Sequence, residues 1–139
     1  MASTSATRVE KPAWFQETAR YAKPDNHAAL LQLSTTIVPY LLLLGTMSYI
    51  VLHGHSYLIT LGLSVPAAAL LVRIFIFFHD CTHGSFVSSP TWNRNIGYLC
   101  GILIFTPFDD WRRSHAAHHV TAGDLDRRCI VDIRTWTVA

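Results

Sequence analysis

The sequence contains 139 residues, of which 50% are hydrophobic and 14% are charged, and its mean hydropathy is +0.27. This composition argues against a soluble domain with a charged surface and favours helices that pack in a lipid bilayer. The formal net charge is only +2, and the basic residues are spread along the chain, so we expect no nucleic-acid partner.

The first 27 residues are polar and include four basic side chains: Arg8, Lys11, Arg20 and Lys23. No apolar stretch follows closely behind the first basic residues, so a cleaved signal peptide is not predicted. Residues 13–21 place three aromatic side chains among charges, which is compatible with an interfacial helix or with a frayed tail. We assign residues 1–27 to a cytosolic N-terminal segment.

Two apolar segments follow and predict a transmembrane helical hairpin over residues 28–78. Residues 31–52 would extend ~33 Å as an α-helix, which is enough to cross the hydrocarbon core. Pro39 inside this segment predicts a kink, because neighbouring groups in a membrane can satisfy the freed carbonyl. Residues 57–78 are interrupted only by Arg73, which could extend to the interface or find a buried partner.

The distribution of basic residues predicts the orientation of this hairpin. Four basic residues precede the first segment, none lies in the turn at residues 53–56, and six follow residue 78. The positive-inside rule therefore predicts that both termini are cytosolic.

A third apolar stretch, residues 96–108, is too short to cross the bilayer, so we expect it to lie in the interface or to re-enter. Ser89 and Pro90 have the order of an N-cap followed by proline at the first helical position. Pro107 with Asp109 or Asp110 predicts the start of another helix, where we favour capping roles for both carboxylates. The fold class that follows is an all-α polytopic membrane protein with two transmembrane helices, an interfacial helix and cytosolic histidine-box helices.

Two histidine clusters lie on the predicted cytosolic side. The first histidine box (residues 79–83) reads H-x-x-x-H, and the second histidine box (residues 115–119) reads H-x-x-H-H. Residues three or four apart share one face of a helix, so His79 and His83 can face one metal, and His118 and His119 return to the face of His115. With eight histidines in the chain, chance gives ~0.4 matches to the first pattern but only ~0.03 to the second. The spacing indicates a transition-metal site without identifying the metal.

Other polar residues near these clusters have less specific interpretations. Cys81 lies on the opposite helical face from His79, so we predict a packing role for it. Asp80 could orient an imidazole or simply cap a helix. Residues 123–128 could bind a lipid headgroup or a redox partner, or form a solvated loop. We interpret His27, His53 and His55 as ordinary polar residues. The three cysteines, Cys81, Cys100 and Cys129, form no C-x-x-C pair, so reduced thiols are predicted.

The runs FHDCTHGSF from Phe78 and TPFDDWRRSHAAHH from Thr106 resemble the membrane fatty acid desaturase family, and in particular bacterial acyl-lipid desaturases of the Δ12/ω type. The resemblance implies two non-haem iron ions in a diiron centre that activates O2 with electrons from ferredoxin or a cytochrome b5-type carrier. It implies that the centre introduces a cis double bond into a membrane lipid acyl chain. Carried over by position, the catalytic iron ligands are His79, His83, His115, His118 and His119. The implied location is the bacterial inner membrane.

Family members also carry a third H-x-x-H-H box after a further pair of membrane helices, and residues 1–139 contain neither. We therefore interpret residues 79–139 as the histidine-box region of an incomplete desaturase domain, in an N-terminal fragment that is inactive alone. Two alternatives remain open at this point. The same boxes occur in membrane hydroxylases and alkane monooxygenases, and the chain could also be a non-catalytic metal-binding membrane fragment.

Overall fold

The computed structural model describes residues 23–124 together with Trp14, Glu17, Thr18 and Asp126. Four helices have described bounds: α1 (Asn26–Leu52), α2 (Tyr57–Thr82), α3 (Pro90–Leu103) and α4 (Phe108–Thr121). This part of the chain contains no strand, which confirms the all-α prediction. Most of residues 13–21, half of residues 123–128, and Cys129 lie outside the described residues.

The helices α1 and α2 form the predicted hairpin and pack against each other. Asp25 caps α1, because its carboxylate accepts the backbone N–H groups of His27 at 2.9 Å and Ala28 at 3.1 Å. The connecting turn reverses the chain through Gly54, whose φ of +70° lies in the left-handed region that glycine tolerates. Proline is accommodated inside both helices, at Pro39 and Pro66.

Both hairpin helices are long and apolar enough to cross a membrane. Their outward faces are apolar, and Leu42, Leu58 and Val65 are each at least 66% exposed. Such surface is costly in water but matches lipid. Arg73 is exposed on this surface, with its guanidinium carbon 5.8 Å from the centre of the Phe77 ring.

The helix α2 continues four residues beyond the end predicted at Phe78. The apolar pattern stops at Phe78, but the backbone hydrogen bonds continue, and the N–H of His83 donates to the carbonyl of His79 at 3.4 Å. His79 therefore lies inside α2, while His83 is its C-cap residue. Gly84 follows with a φ of +68° and turns the chain away from the helix axis.

The short helix α3 packs against α2, and its start agrees with the prediction. Ser89 is the N-cap, and its hydroxyl accepts the N–H of Trp92 at 3.4 Å, while Pro90 is the first helical residue. The buried side of α3 includes Ile96 and Cys100, which join the core around Phe78. Cys81 is also buried in this core with a free thiol, as its predicted packing role requires.

The start of α4 differs in detail from the prediction. The N-cap residue is Pro107, and no side chain makes a capping hydrogen bond there. Asp109 and Asp110 lie in the first turn of α4, where the helix dipole favours negative charge. Their carboxylates are engaged elsewhere, Asp109 by Tyr98 and Asp110 by Arg113, so the capping interpretation was wrong for both.

Candidate metal centre

Two helix ends bring the histidine boxes together. The first box lies at the C-terminal end of α2, and the second box lies in the last two turns of α4. The boxes are separated by more than thirty residues in sequence, yet the ring centres of His79 and His115 are 4.8 Å apart. The ring centres of His83 and His119 are 5.0 Å apart.

Four of the imidazoles converge through one nitrogen each. A ligand nitrogen from each of His79, His83, His115 and His119 lies within 4.8 Å of the other three. The Nε2 atom of His115 is central, at 3.0 Å from that of His79, 3.1 Å from that of His83 and 3.0 Å from that of His119. The Nε2 atoms of His79 and His83 are 3.3 Å apart.

Hydrogen bonds alone cannot satisfy this arrangement. The Nε2 atoms of His79, His83 and His115 form a triangle with sides of 3.0 to 3.3 Å. Each ring nitrogen points either an N–H or a lone pair into the triangle, never both. At least two of the three are therefore of the same kind, and that pair repels. A cation that accepts all the lone pairs removes this conflict.

The spacing of the nitrogens also fits coordination to one ion. Metal–nitrogen bonds of ~2.1 Å place neighbouring ligand nitrogens ~3.0 Å apart at right angles and ~3.4 Å apart in a tetrahedron. The separations of 3.0 to 3.3 Å among His79, His83 and His115, and between His115 and His119, fall in this interval, and all four nitrogens lie within 4.8 Å of one another. The described residues thus contain a four-histidine cluster that could hold a metal ion.

His118 is placed differently from the other four predicted site residues. Its ring centre is 5.9 Å from that of His115 and 5.8 Å from that of His119, and it is not part of the four-nitrogen group. On a helix, positions three and four beyond His115 fall on opposite sides of it. The helix α4 turns the His119 side toward α2, so the two neighbouring histidines face different directions.

The protonation of two rings of the cluster, His83 and His115, favours metal binding. Partial burial, reinforced by repulsion from His79 and the other neighbouring imidazoles, lowers the pKa of His115 to about 4. Burial and repulsion from His79 also lower the pKa of His83. Both rings are therefore neutral bases near pH 7, which is the form that coordinates a metal.

An aspartate orients one of the rings. The Nδ1 atom of His79 is 3.1 Å from Oδ1 of Asp80. If Nδ1 carries the proton and donates it to this carboxylate, the lone pair of His79 lies on Nε2 and faces the cluster. The sequence allowed Asp80 either to orient an imidazole or to cap a helix. This geometry favours the first role, in which Asp80 accepts a hydrogen bond from the His79 ring.

An aromatic side chain separates the cluster from the apolar core. Trp111 stacks on the His115 ring, with ring centres 4.2 Å apart and planes inclined by 20°. The ring centre of Trp111 is also 5.1 Å from that of Phe78, 5.7 Å from that of Phe75 and 5.9 Å from that of His79. Sequence reasoning missed Trp111, although its position four residues before His115 places it on the same helical face.

Sequence reasoning also missed Asn93, which holds the loop after the first box. This side chain is only 3% exposed. Its amide nitrogen donates to the carbonyls of Gly84, Val87 and Ser89, and its oxygen accepts the N–H of Val87. A usable signal existed, because position 93 shares the helical spacing of the buried residues Ile96, Gly97 and Cys100.

A cavity of about 390 Å³ opens beside the cluster. It is lined by residues of α2 and α4 and by the α2 C-cap: Thr82, His83, Arg112, His115, Ala116 and His119. Three of the four clustered histidines thus border a space that a small molecule could enter.

Comparisons with known proteins agree with this chemistry. Residues 55–136 match the family model described as fatty acid desaturase. A fatty acid desaturase of Bacillus subtilis is 42% identical over 123 residues, which cover 88% of this chain and 34% of that protein. An sn-1 acyl-lipid omega-3 desaturase (ferredoxin) of Synechocystis is 45% identical over 57 residues, covering 41% of this chain and 16% of that protein.

A third relative, from Arabidopsis thaliana, is an acyl-lipid omega-3 desaturase (cytochrome b5) of the endoplasmic reticulum. It is 40% identical over 57 residues, which cover 41% of this chain and 15% of that protein. The chain spans about a third of the length of the Bacillus subtilis relative and less of the other two. No solved structure gives a significant match.

Proposed function

This chain belongs to the fatty acid desaturase family, and on that premise we propose that it forms part of an O2-dependent acyl-lipid desaturase with a histidine-ligated diiron centre. The observation that carries the proposal is the convergence of His79, His83, His115 and His119 on one point. Iron held there would supply the one-electron chemistry that activates O2 and removes hydrogen from an unactivated acyl chain. The product would be a cis double bond in a membrane lipid.

The roles of the five histidines follow from where their rings lie. The four clustered rings would hold one iron ion. His118, on the neighbouring side of α4, would contribute to a second ion together with ligands from outside the described residues. Trp111 and Phe78 would keep water and lipid away from the protein side of the first ion, because a reactive oxidant requires a closed site.

The electron donor is proposed from the relatives. One relative is named for ferredoxin and another for cytochrome b5, and we propose that a carrier of one of these kinds serves this protein.

We further propose an inner-membrane location with both termini in the cytosol, which would place the histidine cluster on the cytosolic face. The supporting observation is the absence of basic residues from the turn between α1 and α2, with basic residues on both outer sides. A cysteine introduced by Ser56→Cys, in a Cys129→Ser background, tests this orientation. It should react with an impermeant maleimide added from outside the cytoplasm. Labelling from the cytosolic side alone would reverse the proposed topology.

The metal site is tested by replacing its central ligand. His115→Ala removes the nitrogen that contacts three others, so bound iron in the purified protein should fall by more than tenfold. His27→Ala is the matched control, because His27 lies outside both boxes at the start of α1. Metal content is measured by inductively coupled plasma mass spectrometry. Equal metal content in the two variants would contradict the proposed centre.

A further inference from the structure

The helix α3 contains no histidine, yet it contacts the polypeptide on both sides of the metal centre. On one side, Asn93 binds the backbone of the loop that follows the first box, at Gly84 and Val87. On the other side, α3 contacts the first two residues of α4, Phe108 and Asp109. The helix therefore bridges the two ligand-bearing segments.

The contact with Phe108 depends on a glycine. A Cβ atom at Gly97 would lie 2.6 Å from Cζ and 2.7 Å from Cδ2 of the Phe108 ring, far inside van der Waals contact. The ring fills this notch and also packs edge-on against Phe78, with centres 5.6 Å apart. Phe108 is the one buried residue of α4, so this notch is an apolar attachment of the helix, in addition to the contacts of the half-buried Trp111 with Phe75 and Phe78.

The contact with Asp109 is polar and adjacent to the first. The hydroxyl of Tyr98 donates to Oδ2 of Asp109 at 2.5 Å and accepts hydrogen bonds from Arg94, at 3.2 Å from Nε and 2.9 Å from a terminal nitrogen. The bond between this hydroxyl and the carboxylate is charge-assisted, and it lies at the solvent-exposed surface. Together the two contacts restrict both the position and the rotation of the first turn of α4.

A small rotation of α4 about its first turn produces a larger displacement of the histidines near its other end. His115 lies seven residues beyond Phe108, or ~10 Å along the helix, so a tilt of ~10° about the first turn moves its backbone by ~1.8 Å. Metal–ligand distances tolerate only about 0.2 Å. Loosening at Phe108 and Asp109 would leave α4 attached to α2 through Trp111 and the histidine rings, so we expect the second box to shift relative to the first.

We propose that α3 is the positioning element of the metal centre, and that Gly97 and Tyr98 are positioning residues that hold the second histidine box against the first. This inference rests on the proposed function insofar as the positioned histidines bind metal. The placement of α4 relative to α2 can, however, be measured without any metal. Two contacts between α3 and α4 provide this positioning: Gly97 with Phe108, and Tyr98 with Asp109.

The first experiment measures this placement directly. Spin labels at Val72→Cys and Ala117→Cys, in a Cys129→Ser background, report the distance between α2 and α4 by double electron–electron resonance of the metal-free protein. Cys81 and Cys100 are buried and should remain unlabelled. We expect Tyr98→Phe and Gly97→Ala to broaden or shift the distance distribution. The matched controls are Asn95→Ala, on the exposed side of α3, and Gly62→Ala, where a Cβ meets nothing within 4 Å.

The second experiment measures the consequence for the site, with Co²⁺ as the probe. Tyr98→Phe should weaken Co²⁺ binding by about tenfold and change the visible absorption bands of the bound ion, whereas Asn95→Ala and Gly62→Ala should stay within twofold of the wild type. We expect Gly97→Ala to weaken Co²⁺ binding as well, because the added Cβ displaces the Phe108 ring. The double variant Gly97→Ala/Phe108→Leu has more space at the notch and should recover part of the lost Co²⁺ affinity. A merely structural role would leave the absorption bands unchanged.

The outcomes separate the two proposals. A distance distribution in Tyr98→Phe identical to that of the wild type overturns the positioning role, whatever the metal data show. A wild-type protein that binds no Co²⁺ overturns the proposed metal centre, while the distance measurement still decides the role of α3. If Gly97→Ala fails to fold, as judged by lost helical circular dichroism, Tyr98→Phe decides the question, because it removes a single oxygen atom.

Discussion

A histidine coordinates a metal through one ring nitrogen, and the group bound to its other nitrogen decides how firmly the ring is held. Asp80 lies beside Nδ1 of His79 at 3.1 Å. The sequence could not distinguish this role from capping, because neighbouring residues on a helix point about 100° apart and only the side-chain rotamers bring these two groups together.

We expect Asp80→Ala to weaken metal binding by about 10- to 100-fold, which is the usual cost of losing a carboxylate that orients a ligating histidine. Asp80→Asn should lose less metal affinity, because its amide oxygen can still accept a hydrogen bond from Nδ1 of His79. Affinity is measured by competition between the protein and a chelator for Co²⁺.

The control for this prediction is Asp110→Ala. Asp110 pairs with Arg113 in the first turn of α4, so its replacement removes a similar charge without touching the cluster. If both variants lost the same affinity, the effect of Asp80 would be general electrostatics and not orientation of His79.

At the level of the helices, the sequence predicted some boundaries and missed others: the end of α1 at Leu52 was predicted, whereas the capping at the start of α4 was not. Ser89 and Pro90 mark the start of α3 by local chemistry, which the structure confirms. The end of α2 depends on polar residues that continue the hydrogen-bond pattern, so the apolar window alone ended it too early. The burial of Phe108 against Gly97 could not be predicted, because it arises from packing between residues eleven positions apart on different helices.

Asn93 shows how a helix can organise a loop that it does not belong to. Its side chain makes four hydrogen bonds to the backbone of residues 84–89. Removing it would leave buried polar groups such as the N–H of Val87 without a partner. Each such group costs about 1–3 kcal/mol.

We therefore expect Asn93→Ala to lower the free energy of unfolding by about 1–3 kcal/mol and to lower the melting temperature in detergent. Asn95→Ala is the matched control two residues along the same helix, on its exposed side. Thermal unfolding followed by circular dichroism compares the two. Equal melting temperatures would mean that water replaces the lost hydrogen bonds and that the loop does not depend on Asn93.

At the scale of the whole molecule, the two histidine boxes were predicted from their spacing, and a shared metal site was expected because both boxes follow the hairpin on the same side of the membrane, but the geometry of their meeting was not predicted. Spacing within each box fixes which rings share a helical face. It carries no information about the 31 residues that lie between His83 and His115, and the approach of their Nε2 atoms to 3.1 Å requires the folded arrangement of α2, α3 and α4. The rotation of α4 about its axis also decides which rings join the cluster, and it leaves His118 outside the four-nitrogen group.

The last prediction is that residues 1–139, expressed alone, bind metal but do not desaturate lipids. The four clustered nitrogens converge on one position, whereas the proposed diiron chemistry needs two ions with nearly complete ligand sets. A position left to water lowers the binding free energy that holds such a site together. The described helices also leave their apolar faces open, as the exposed Leu42 and Leu58 illustrate, so they cannot enclose an acyl chain and exclude water from the oxidant.

Gas chromatography of total fatty acids from a host without its own desaturase measures the outcome, with the full-length Bacillus subtilis relative as the positive control. We expect new unsaturated chains with the control and none with residues 1–139. Double bonds formed by residues 1–139 alone would show that four clustered histidines and two membrane helices suffice, and hydroxylated chains would redirect the proposal to a hydroxylase.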